Sequence, residues 1–129
     1  AMPSRAPRLL PVLAVAGLLA ACADSNGPGR TQGDISILPN AVTQGNAGFS
    51  PNPLVVPAGE GRVVVWQNHD IVAVGDSGTA HWLLSDENLF DAGSIAPGSA
   101  FTFTFPGPGT YHYRCKNHLN MAGTITVTD

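Results

Sequence analysis

Short apolar, β-branched runs alternate along this chain with breaks rich in Gly and Pro, and that rhythm sets the expected architecture. The first run after the N-terminal region is Ile35-Ser36-Ile37-Leu38, stopped by Pro39-Asn40. The stretch 49–56 follows, and its Pro51 and Pro53 restrict it to an edge or irregular strand, because proline brings no N–H to a ladder. A turn at 57–61 leads into Val63-Val64-Val65-Trp66-Gln67, a β-branched and aromatic run suited to a buried strand. Residues 68–80 read as a loop, within which Ile71-Val72-Ala73-Val74 is expected as a short added strand, with a docking surface as the alternative. His81-Trp82-Leu83-Leu84 begins another strand, and 101–105, 110–115 and 124–128 alternate strictly.

In 110–115 the period of two puts Tyr111, Tyr113 and Cys115 on one face and His112 and Arg114 on the other. Inward tyrosines therefore carry Cys115 inward and leave His112 solvated. No long segment shows a helical period. The fold class expected is all-β, an antiparallel β-sandwich of about seven to eight strands.

The N-terminus changes the domain count. Arg5 and Arg8 precede an uncharged apolar run over residues 9–21, the length of a secretory signal core and too short to span a bilayer. The run ends in Leu19-Ala20-Ala21-Cys22, which resembles the lipobox of bacterial lipoproteins. The organisation expected is a signal peptide over 1–21, a lipidated Cys22 with a flexible tether over 22–33, and one folded domain over 34–129. The protein is then exported and periplasmic, touching a membrane only through lipid on Cys22.

Composition narrows the function. Charged residues make up 12% of the chain, with 15 Gly and 11 Pro, which disfavours a helical bundle. The formal net charge of −3 offers no basic patch, so nucleic acid is excluded as a partner and a monomer is expected. With Cys22 lipidated, Cys115 has no disulfide partner. A lone thiol in an oxidising compartment is either buried and inert or held by a metal.

The segment Cys115-Lys116-Asn117-His118-Leu119-Asn120-Met121 favours the metal. It puts a thiol, an imidazole and a thioether within seven residues at spacing C-x2-H-x2-M, and this soft-to-borderline set suits a copper electron-transfer site once a second His joins it. His69 and His81 are the candidates for that second His; zinc would accept the same donors.

At this point the sequence resembles the cupredoxin family, and more narrowly its plastocyanin and amicyanin members. The resemblance runs from Phe49-x-Pro51-x-x-Leu54-x-Val56 through Val63-x-Val65-Trp66-x-Asn68-x-Asp70 and His81-Trp82-Leu83-Leu84. It is most specific in Pro108-Gly109-Thr110-Tyr111-x-Tyr113-x-Cys115-x-x-His118-x-x-Met121-x-Gly123. The short ligand-loop spacing is similar to that of amicyanin. The resemblance implies a Greek-key sandwich holding one copper ion, with His81, Cys115 and His118 equatorial and Met121 axial. His69 falls where the family has no ligand. Many members carry Asn after the first ligand His, tying the ligand loops together; here Trp82 stands there, and Asn68 or a backbone amide is expected to serve instead. The function implied is an outer-sphere one-electron carrier, not an enzyme, working between a redox protein donor and acceptor through the edge of His118. Copper storage, delivery or sensing with the same four residues is the alternative.

Overall fold

A computed structural model describes residues 34–129 of the chain. The expected signal peptide, lipidated Cys22 and tether lie outside the described residues. Nine strands form two sheets. They are β1 (Ile35–Ile37), β2 (Phe49–Ser50), β3 (Leu54–Pro57), β4 (Val63–Asn68), β5 (His81–Ser85), β6 (Asp91–Ile95), β7 (Ala100–Thr104), β8 (Gly109–Cys115) and β9 (Ala122–Thr128). A single-turn helix, α1 (Ala41–Gln44), interrupts them after β1. One sheet runs β2-β1-β4-β7 and the other β3-β9-β8-β5-β6.

The sandwich is as expected, but its sheets are not purely antiparallel. β1 pairs with β4 in parallel, and β3 pairs with β9 in parallel. Each of those pairs is separated by long connections that visit the opposite sheet, and such crossovers permit parallel pairing. The irregular stretch 49–56 proves to be two strands in different sheets, β2 and β3. Pro51 and Pro53 mark the crossing, where a ladder would lack donors.

One further expectation differs, and one strand lies where none was expected. Ile71-Val72-Ala73-Val74 forms no strand; Ile71, Val72 and Val74 stand exposed in the loop, with Val74 fully so. β-Branched composition alone does not make a strand where no neighbour offers a ladder. Conversely, Asp91–Ile95, with Gly and Asp in it, is a strand because β5 pairs with it at the sheet edge.

Both sheets contribute to one core. Ile35, Ile37, Val64 and Trp66 face Leu83, Tyr113, Ile125 and Val127 across it, all buried. Trp66 meets Tyr113 edge-on with ring centroids 5.3 Å apart, and Phe49 meets the same tyrosine at 4.9 Å. In β8 the alternation holds: Tyr113 and Cys115 are buried, while His112 and Arg114 are exposed. One end of this core is where the chemistry-bearing residues gather.

Candidate metal centre

Strand register brings the donors together. On β5, His81, Leu83 and Ser85 point inward, and Leu83 pairs with Cys115 on the antiparallel β8. His81 lies two residues before Leu83, and β8 runs the opposite way, so His81 sits level with the loop that follows Cys115. That loop carries His118. One ligand atom from each of His81, Cys115 and His118 lies within 4.8 Å of the others, the one such group among the described residues. His81 and Cys115 are buried and His118 is half-buried.

Both imidazoles turn Nδ1 to the thiol. Cys115 Sγ is 3.8 Å from His81 Nδ1 and 3.5 Å from His118 Nδ1. The rings stand edge to face, centroids 5.1 Å apart. Backbone bonds shape the loop: Cys115 N–H donates to the Met121 carbonyl at 3.0 Å, and Met121 N–H donates to the His118 carbonyl at 2.9 Å. Met121 is fully buried at the loop's end. The Asn120 side chain ties the loop to α1 by donating to the Val42 carbonyl at 2.6 Å.

Electrostatics favour a thiolate. Burial pushes the Cys115 thiol up, but hydrogen bonds with His81, with the backbone of Trp82 and Asn117 and with His118 outweigh it and bring the pKa from 9.0 to about 6. Burial pulls His81 down, yet hydrogen bonding to Cys115 and Asp70 and attraction to both leave its pKa raised. Two imidazole nitrogens and a thiolate make a donor set that fits copper or zinc.

The other histidines sit elsewhere. His69 is exposed in the loop after β4, its backbone N–H donating to the Ile37 carbonyl. His112 points to solvent, with Nδ1 2.9 Å from Glu87 Oε1.

Of the two ties expected beside His81 in place of the missing Asn, the backbone amide is the one present. Asn68 does not reach His81. Its buried amide donates to the carbonyls of Thr79, at 2.8 Å, and Ile95, at 2.9 Å, and so braces the neighbouring loops. Trp82 faces the other side of the sheet, donating Nε1–H to Asp91 and lying under the Lys116 ammonium, 4.2 Å from the ring centroid. The link between the two ligand strands is main-chain: Lys116 N–H donates to the Trp82 carbonyl at 2.7 Å. The residue that holds His81 is Asp70, whose Oδ2 lies 2.9 Å from Nε2 with both side chains buried. Its one sequence signal is the Asn-x-Asp turn, which offers no hint of a contact eleven residues onward.

Comparison with known proteins agrees with this geometry. The family model described as "Cupredoxin-like domain" matches residues 11–127. A plastocyanin of Scenedesmus fuscus is 37% identical over 89 residues, covering 61% of this chain and 85% of the relative. Among solved structures, a purple cupredoxin from Nitrosopumilus maritimus superposes with TM-score 0.60 at 31% identity, covering 73% of this chain and 97% of its own. A copper-containing nitrite reductase from Thermus scotoductus is also similar, at TM-score 0.52 and 28% identity, but this chain spans 63% of itself and 20% of that protein. With the sandwich, the converging donors and the family match together, this chain belongs to the cupredoxin-like family.

Proposed function

We propose that the chain is an exported copper protein that carries single electrons by outer-sphere transfer. His81, Cys115, His118 and Met121 would hold the copper ion. The observation that carries this reading is the convergence of His81 Nδ1, Cys115 Sγ and His118 Nδ1 from two strands and one loop. Bound there, copper supplies a Cu(I)/Cu(II) couple, and a mixed nitrogen–sulfur set serves both states.

The residues of this chain do the rest. β5 and β8 hold His81 and Cys115 in a packed core, so the donors have little room to move and little reorganisation opposes transfer. Four protein ligands leave no open position for a substrate, which favours a carrier over an enzyme. The kinship with plastocyanin supports the same role. His118, half-buried beside Leu119, which is 79% exposed, is the port for electrons. A redox protein donor and acceptor meet the molecule there. Export follows from the apolar run over residues 9–21, and lipid on Cys22 is the anchor.

Voltammetry of the copper-loaded full chain, with stopped-flow mixing against a c-type cytochrome, tests the carrier role. A reversible one-electron wave and fast exchange are expected. Tight copper binding with no exchange would instead identify a storage or delivery protein.

A further inference from the structure

A buried carboxylate is costly to keep unless it is paired, because removing it from water penalises its charged form. Asp70 is such a group, 2% exposed at the floor of the loop behind His81. Every polar atom it has is used. Oδ2 meets His81 Nε2 at 2.9 Å, and Oδ1 accepts the backbone N–H of Asn40 at 2.7 Å. Its own N–H donates to Asn68 Oδ1 at 2.9 Å, and its carbonyl accepts the Thr79 N–H at 2.9 Å.

The surrounding chain is shaped to make this possible. Asn40 takes a left-handed conformation with φ 59°, and its backbone N–H donates to the carboxylate. Gly78 has φ +71°, and a Cβ there would lie 2.6 Å from the Asp70 carbonyl oxygen, so only glycine lets the returning loop lie this close. The segments around Asn40 and Thr79 thus fix Asp70 by its carboxylate and its backbone, and His81 is the one side-chain partner of the carboxylate among the described residues.

We propose that Asp70 is a positioning residue for His81, accepting the proton on Nε2 so that Nδ1 presents its lone pair toward Cys115. This rests on the copper reading of the site given above and extends it. A carboxylate behind a ligating histidine fixes the tautomer and ring orientation and strengthens the imidazole as a donor. Its buried negative charge also favours the more positive oxidised ion, so Asp70 lowers the reduction potential.

Two measurements test this. In the metal-free Cys115→Ser chain at alkaline pH, where no thiolate competes for the ring proton, nitrogen chemical shifts should show His81 carrying its proton on Nε2; a proton on Nδ1 would overturn the proposal. In the copper-loaded chain, Asp70→Asn should weaken copper binding about 10- to 100-fold and raise the potential. Wild-type affinity and potential in D70N would reduce Asp70 to a loop brace and sink the assignment. Should D70N not fold, the tautomer in C115S decides alone. Should wild type bind no copper, the copper reading fails, while the tautomer still tests the Asp70–His81 pairing.

Discussion

The amide of Cys115 donates to the carbonyl of Met121, so the last residue of β8 and the last residue of the ligand loop are fastened to each other at 3.0 Å. The loop can therefore bring a thiol and an imidazole to one place and bury the thioether at its end without extra chain. Met121 is wholly buried there, and replacement by leucine preserves its volume, so Met121→Leu should cost less than about 1.5 kcal/mol in stability. On the proposed ligand set it also removes a weak donor to the oxidised ion. The copper-loaded variant should keep its colour and show a higher potential by voltammetry; an unchanged potential would remove Met121 from the ligand set.

Tyr113 lies across Gly123 in the register of β8 and β9, and a Cβ on Gly123 would lie 2.2 Å from the tyrosine ring. The ring is buried between Phe49 and Trp66 and has nowhere to retreat. Gly123→Ala should lower stability by about 1–3 kcal/mol in urea unfolding of the metal-free chain. A variant as stable as wild type would show that the strand pair relaxes freely at this point.

Cys115 is held as a thiolate well below the ordinary thiol range, at about 6 rather than 9.0. Metal must displace any proton on sulfur, so apparent metal affinity should be nearly flat in this respect above about 6 and fall as pH drops below it. Thiolate absorbance of the metal-free chain, titrated alongside a Cys115→Ser control, checks the value directly. A midpoint near 9.0 would mean that His81 and His118 do not stabilise the anion.

His112 and His69 stand apart from the donor cluster, both exposed. Replacing either by alanine should leave copper stoichiometry and the visible spectrum unchanged, whereas His81→Ala should abolish the spectrum. The His112–Glu87 pair is at the surface, and its loss should hardly move the melting temperature. A spectrum altered in H112A would contradict the alternation argument.

Much of the site was legible in the chain because its information is local. The period of two in 110–115 separates Cys115 from His112, and the short spacing from Cys115 to His118 puts two of the converging side chains in one loop. The contributions that were not legible are long-range or depend on a neighbour. Asp91–Ile95 is a strand by virtue of β5 beside it, not by its own residues. Ile71 to Val74 has strand-like composition and no partner. The parallel pairing of β1 with β4 depends on the route the chain takes between sheets. Asp70 reads as one acid in a turn until the fold lays His81 against it. The tie expected from Asn68 or a backbone amide is made by the Lys116 amide, which any residue but proline could supply, so the residues alone did not choose between the two.

The most direct test of the central claim is a copper titration of the full chain followed by visible absorption and electron paramagnetic resonance. An intense thiolate-to-copper band saturating at one ion per chain, with the narrow copper hyperfine splitting of a covalent thiolate site, is the predicted result, lost in Cys115→Ala. A weak band with wide splitting, or an unchanged spectrum in C115A, would place copper away from Cys115 and contradict the account.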